Sequence, residues 1–245
     1  LHARFARCPP RGRVSTFGRP GGTDMRLPAF APELIIFDCD GVLVDTERVN
    51  SQVMADLVGE LGAPMSFAEA VELYIGKSTE DCLRITEARL GRPAPDDLHA
   101  RWVARTRELH ARELRAVEGI EGVLSMLARP FCVASNGRHA EIRQNLGLTG
   151  LLPWFEGRMF SSEDVARPKP APDLFLHAAA RCGADPARCL VIEDTPTGVR
   201  AARAAGMTVL GFAGLTPVEH LGAAGAHGII ARMDELGAWL DEVCA

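Results

Sequence analysis

The segment Leu34-Ile35-Ile36-Phe37-Asp38-Cys39-Asp40-Gly41-Val42-Leu43-Val44-Asp45 constrains this chain more than any other. A short apolar run of strand type stops at an aspartate, a second aspartate stands one residue further on, and a glycine follows. Along a continuing strand Asp38 and Asp40 share one face and Cys39 takes the other. A strand that stops at Asp38 and turns through Gly41 aims both carboxylates at one spot above its carboxyl end. Two carboxylates there suit a hard cation, a nucleophile and a proton-transfer group. The same residues also describe a buried strand running into an acidic turn, since Asp and Gly are common turn residues.

Past this strand, residues 48–117 read as helix throughout, with Val49, Val53, Leu57 and Leu61 on one apolar face and Phe67, Val71, Leu73 and Tyr74 on another. A long charged helix is expected over about Asp96–Arg115, ahead of a break at Gly119. The pattern then changes. Strand-like runs at Phe131–Ser135, Cys189–Glu193, Val209–Phe212 and Ile229–Ile230 alternate with helical stretches near Gly119–Leu127, Ala140–Leu146, Pro172–Cys182 and Thr197–Ala205. Such alternation predicts an α/β fold: βαβ units forming a doubly wound parallel sheet covered on both faces. The first strand belongs to that sheet, which makes the helical block an insertion. The expected layout is a core over 31–46 and 119–245 and a helical domain over 47–118. Residues 1–30 are rich in Arg, Pro and Gly without apolar periodicity, and are expected to be a disordered extension ahead of a natural start near Met25.

Composition narrows the function classes. At 245 residues and 47% hydrophobic, the chain can bury one large core, with or without a smaller appended domain. A net charge of -5, with no basic block beyond the N-terminus, argues against nucleic acid as the main partner. No apolar run reaches the roughly 18 residues of a membrane-spanning helix. Seven scattered cysteines, without a C-x-x-C pair, read as reduced thiols in a cytoplasm. Basic residues are nearly all arginine, so the two lysines, Lys77 and Lys169, stand out.

In a doubly wound sheet, ligands bind outside the carboxyl ends of the strands. Besides Asp38 and Asp40, two other strand ends carry reactive groups. Phe131–Ser135 ends in Ser135-Asn136-Gly137 before a helix, which suits a phosphate oxygen or an ordinary helix N-cap. Cys189–Glu193 ends in Glu193-Asp194-Thr195-Pro196, where two adjacent acids are a helix cap or metal ligands. Between them lies Arg167-Pro168-Lys169-Pro170-Ala171-Pro172-Asp173. Its prolines stiffen the loop, so Lys169 reads either as a solvated charge or as a fixed clamp for a phosphate or carboxylate.

Asp-x-Asp-Gly, Ser-Asn-Gly, Lys-Pro and Glu-Asp, in this order and in these contexts, resemble the four signature motifs of the haloacid dehalogenase-like hydrolases. The resemblance covers about residues 33–245, including the helical insertion. The wording of F-D-C-D-G-V-L-V-D-T-E and R-P-K-P-A-P-D-L-F is similar to the phosphatase and phosphomutase branch of that family. Asp40 occupies a position that the dehalogenases proper replace, so the resemblance points away from dehalogenation. It implies a phosphatase acting on a small phosphorylated metabolite, a sugar phosphate or phosphorylated sugar acid. Asp38 would attack phosphorus and Asp40 would carry the proton. Mg²⁺ would be held by Asp38, the Asp40 carbonyl, Asp194 and, directly or through water, Glu193. Ser135, Asn136 and Lys169 would bind phosphoryl oxygens. The insertion would be a cap closing over the strand ends, with Glu47, Asn50, Lys77 and Thr79 as candidate specificity positions. The segment 76–81 reads equally as a helix N-terminus. Two departures separate the chain from the mutases: Asn50 stands where they carry a histidine, and Thr79 where they carry an arginine. A phosphomutase is therefore the alternative expectation, and a non-catalytic binding protein of the same fold the remote one.

Overall fold

β1 (Leu34–Phe37) is buried along its whole length and opens a sheet in which every strand among the described residues runs parallel to its neighbours. The computed structural model describes residues 31–77 and 79–244, so the extension expected over residues 1–30 lies outside the described residues. After β1 come four helices: α1 (Thr46–Glu60), α2 (Phe67–Tyr74), α3 (Thr79–Leu90) and α4 (Leu98–Glu113). Strands and helices then alternate through α5 (Ile120–Met126), β2 (Phe131–Ser135), α6 (His139–Leu148), α7 (Leu152–Phe155) and β3 (Met159–Ser161). They continue through α8 (Asp173–Cys182), β4 (Cys189–Glu193), α9 (Pro196–Ala204), β5 (Thr208–Phe212), α10 (Val218–Ala224), β6 (Gly228–Ile230) and α11 (Glu235–Cys244). The strand order is β3-β2-β1-β4-β5-β6, with Ile36 of β1 opposite Cys132 of β2 and Val191 of β4. This is the doubly wound parallel sheet that the alternation predicts.

The sheet is buried on both faces, which is why its strands are uniformly apolar rather than alternating with polar residues. Ile35, Phe37, Val133, Leu190 and Ile192 point into a cluster closed by α5, α6, α7 and α11. Leu34, Ile36, Cys132, Ala134 and Val191 point into a second cluster closed by α8, α9 and α10. In the first, Phe37, Phe131 and Phe155 meet edge to face, with ring centroids 5.4–6.4 Å apart.

The block expected to be helical throughout is divided by turns carrying Gly62 and Pro64, Gly76, and Gly91, Pro93 and Pro95. Val49, Val53 and Leu57 of α1 pack on Leu98 of α4, with Leu61 at the margin, as that face predicts. On α2 the buried residues are Ala70 and Tyr74, one helical turn apart, while Phe67, Val71 and Leu73 are half-buried. A capping box starts this helix: Ser66 Oγ accepts the Glu69 N–H, and Glu69 accepts the Ser66 N–H at 2.8 Å. β3 gives no readable strand signal, since three residues are too few to show a period. α7 and α10 are likewise short and mixed in composition.

The two chain segments joining the insertion to the sheet run side by side. Val44 bridges Ala116 in antiparallel fashion, the Asp45 N–H donates to Arg115 O at 2.9 Å, and the Val117 N–H donates to Leu43 O at 2.9 Å. Both segments leave from the carboxyl edge of β1, which sets α1–α4 over the crevice where ligands bind in such sheets.

Phe155→Ala is expected to lower unfolding free energy by about 3–5 kcal/mol, since it empties a fully buried ring site touching Phe37 and Phe131. Urea denaturation followed by circular dichroism measures this, and a loss below about 1 kcal/mol would contradict the packing described.

Candidate active site

At the end of β1 the Asp38 N–H still donates to Ile192 O of β4 at 3.0 Å, and there the ladder ends. The chain then folds back on itself: the Gly41 N–H donates to Val44 O, and the Leu43 and Val44 N–H groups donate to Cys39 O. Gly41 has φ +79°, and a Cβ there would lie 2.0 Å from Asp194 Oδ2. Only glycine lets the loop turn this tightly while the carboxylate after β4 lies against it.

The end of β4 is fixed as closely. Glu193 Oε2 accepts the Thr195 N–H and the Thr195 hydroxyl, both at 2.9 Å. Its Oε1 accepts Lys169 Nζ at 2.8 Å. A Cβ on Gly198, in the first turn of α9, would lie 1.7 Å from Glu193 Oε1. Thr195 is the N-cap of α9, taking the Gly198 N–H at 3.0 Å, so neither acid before it serves as that cap.

Lys169 stands between these acids. Nζ donates to Asp38 Oδ1 at 2.5 Å as well as to Glu193, and lies 4.6 Å from the centroid of the Phe175 ring. Burial opposes its charge, but the two carboxylates prevail and hold its pKa above the ordinary lysine value. Its backbone is anchored by Asn136, whose Oδ1 accepts the Lys169 N–H at 3.0 Å and whose Nδ2 donates to Lys169 O at 3.1 Å. Ser135 is buried at the end of β2, and its Oγ accepts the Gly137 N–H at 3.0 Å. The N-cap of α6 is Arg138 rather than Ser135.

Carboxylate oxygens of Asp38, Glu193 and Asp194 lie within 4.8 Å of one another, all three residues buried. Burial pushes the Asp38 carboxyl up to about 7; Lys169 opposes the shift, while Glu193 and Asp40 add to it. Asp194 is driven well above the ordinary range by burial, then by the charges of Glu193 and Asp38. Its Oδ1 is buried with no hydrogen-bond partner. A buried carboxylate oxygen without a donor, in a set of oxygen ligands without Cys or His, fits a hard divalent cation. Asp40 is also raised by burial, offset in part by Thr46 and by Asn145, whose Nδ2 donates to Asp40 Oδ1 at 3.2 Å.

Asp38, Asp40, Ser135, Asn136, Lys169 and Glu193 line a cavity of about 290 Å³. Glu47, Asn50 and Lys77 line it as well, with Glu47 pushed up to about 7 by burial and by the nearby Asp40 charge. Thr79 is exposed at the start of α3, followed by Glu80 and Asp81 in the first turn, and is not among the described residues that line the cavity. The wall also contains residues with no signature in the sequence, among them Met54, Tyr74, Cys82 and Trp102 from the insertion. Asn145 is another. It lies 105 residues from Asp40, inside a helix of ordinary pattern, and only the fold brings the two together.

This arrangement defines a class of protein: a parallel-sheet α/β fold with a buried carboxylate–lysine centre and a helical insertion after the first strand. A model of the haloacid dehalogenase-like hydrolases matches residues 32–206. Over 184 residues the chain is 30% identical to the 6-phosphogluconate phosphatase of Escherichia coli, covering 74% of this chain and 82% of that protein. It is 31% identical over 178 residues to the fructose-1-phosphate phosphatase YqaB of the same organism, covering 71% and 92%. Among solved structures, a haloacid dehalogenase-like protein of unknown function from Agrobacterium tumefaciens superposes with a TM-score of 0.83 at 36% identity. That match covers 88% of this chain and 100% of the other. The chain belongs to the haloacid dehalogenase-like hydrolases, and to their phosphatase branch.

The crowded acids set a pH dependence. A carboxyl raised in the folded state binds protons that the unfolded chain has released, so its contribution to stability falls as pH rises through that window. For Asp194 the window opens at the ordinary 3.8 and extends well above it. Asp194→Asn removes that carboxyl. Without metal it should therefore melt higher than the wild type at pH 8, by roughly 2–6 °C, with the gap closing toward pH 5. Differential scanning calorimetry in EDTA reads the gap, and a variant that melts lower at pH 8 would show that Asp194 is not under this strain.

Proposed function

We propose that this protein is a Mg²⁺-dependent phosphatase of a small sugar phosphate or phosphorylated sugar acid, with Asp38 as nucleophile. The observation that carries this reading is the Asp38–Lys169–Glu193 bridge beside the partnerless Asp194 oxygen. A carboxylate approaches a phosphate dianion only where positive charge cancels their repulsion. Lys169 supplies one such charge, held on Asp38 itself. The second would come from Mg²⁺ bound by Asp38, Asp194 and the Asp40 carbonyl, with Glu193 in support, and it would stabilise charge building on the phosphoryl group.

In this reading an Asp38 carboxylate oxygen bonds to phosphorus as the bond to the sugar oxygen breaks, giving an aspartyl-phosphate. Asp40 gives its proton to the departing oxygen. Burial raises its carboxyl above the ordinary value, the direction a general acid needs. The same carboxylate then takes a proton from water, which attacks phosphorus and frees Asp38. Ser135, the Asn136 N–H and Lys169 hold the phosphoryl oxygens. Because its side chain is committed to Lys169, Asn136 presents only its backbone to the substrate. The helical insertion acts as the cap. Glu47 and Asn50 meet hydroxyl groups and Lys77 an anionic end, while Met54, Tyr74 and Trp102 pack on carbon. The two Escherichia coli relatives, a 6-phosphogluconate phosphatase and a fructose-1-phosphate phosphatase, support this class. Free, reduced cysteines among the described residues fit a cytoplasmic setting.

Asp38→Asn should fold normally and lose at least about 10³-fold in turnover, since an amide neither attacks phosphorus nor binds a cation as an anion. EDTA should abolish wild-type phosphate release and Mg²⁺ restore it. Substantial turnover by Asp38→Asn, or full activity in EDTA, would overturn the assignment.

Water is the expected phosphoryl acceptor, because Asn50 lacks the proton chemistry of a histidine and Thr79 stands exposed outside the cavity lining. Given β-glucose 1-phosphate and a trace of the bisphosphate, the enzyme should release free phosphate faster than it forms glucose 6-phosphate. The reverse order would make it a mutase.

A further inference from the structure

Asn145 lies on α6, between Ile142 and Leu146, whose side chains are buried beneath the sheet. That packing fixes the half-buried Asn145 and aims its amide across the carboxyl edge of the sheet. Nδ2 donates to Asp40 Oδ1 at 3.2 Å. The other oxygen, Oδ2, faces the turn after β2: a Cβ on Gly137 would lie 3.8 Å from it and 3.3 Å from Ser135 Oγ. The two oxygens of Asp40 are therefore not equivalent. One is engaged by an uncharged donor from a rigid helix, and the other is turned toward the proposed phosphate cradle.

We infer that Asn145 is the positioning residue for the proton carrier: it claims Oδ1 of Asp40 and so keeps the exchangeable proton on Oδ2, facing the departing oxygen. The inference rests on the phosphatase reading above and adds to it a residue outside the four motifs. A carboxyl group on a single-bonded stem turns readily about its last torsion, and one fixed donor selects one orientation. An amide suits the task. It donates without a positive charge that would drive the proton off Asp40 early, and it keeps its donor whatever the local proton balance. Losing the donor should leave the phosphate cradle and the Asp38–Lys169 contact in place while the acid no longer points at its target. A displacement of about 1 Å at a reacting group can cost about 10²-fold in a rate that depends on it.

The test uses the leaving group. A sugar alkoxide cannot depart without a proton, whereas p-nitrophenolate can. Comparing kcat/KM for 6-phosphogluconate or fructose 1-phosphate, whichever the wild type turns over faster, with that for p-nitrophenyl phosphate isolates proton delivery from binding. In Asn145→Ala and Asn145→Leu the ratio of sugar-phosphate to aryl-phosphate kcat/KM should fall by at least about fivefold. In an Asp40→Asn background the same substitutions should shift the ratio no further. A ratio that changes less than about fivefold in both folded variants, or a further fall on top of Asp40→Asn, overturns the role. Circular dichroism establishes folding, with Asn145→Ser replacing any variant that fails it. A wild type that releases phosphate from neither substrate would defeat the phosphatase reading and this inference with it. An active wild type with an unchanged ratio defeats the inference alone.

Discussion

Lys169 is the only cation within hydrogen-bonding reach of Asp38 and Glu193 among the described residues, and its side chain is 3% exposed. Asp38, Glu193 and Asp194 come from the ends of two adjacent strands and crowd within a few ångströms of one another. Without the lysine, buried negative charges would face each other with nothing to compensate them. Breaking such a buried pair typically costs about 3–5 kcal/mol. Everything around Lys169 serves to hold it there: Asn136 clasps its backbone on both sides, Phe175 lies under its ammonium, and prolines flank it in sequence. A compact ammonium answers this geometry better than the broad planar fork of arginine. In a chain that otherwise uses arginine almost everywhere, both lysines lie on the cavity wall.

The parallel sheet explains why these groups meet. Strands that all point one way bring their carboxyl ends to one edge. The order β3-β2-β1-β4-β5-β6 reverses direction at β1, which opens a crevice there. The price is paid in local backbone: Gly41 and Gly198 stand where any Cβ would strike the Asp194 or Glu193 carboxylate. Those contacts show how tightly the acids are packed by main chain rather than by side chains. Among these acids Asp194 alone keeps a buried oxygen with no partner, the point at which the site asks for a cation.

The chain itself determined the fold class. Apolar runs with both faces buried, separated by helical stretches, leave few arrangements besides a doubly wound sheet, and the reactive residues stand at strand ends where short-range order is strongest. β3 and the division of the insertion escaped such reading because three residues show no period and because glycine-bearing turns interrupt a helical pattern without changing its composition. The three-dimensional arrangement decided what sequence spacing cannot encode. It committed the side chain of Asn136 to Lys169 and both oxygens of Glu193 to Thr195 and Lys169. It also placed Trp102 and Tyr74 in the cavity wall, left Thr79 out of it, and set Asn145 against Asp40. Local sequence carries the residue types and the backbone turns that present them. Which donor meets which carboxylate depends on contacts between residues tens to a hundred positions apart, and those exist only once the sheet and its insertion have packed.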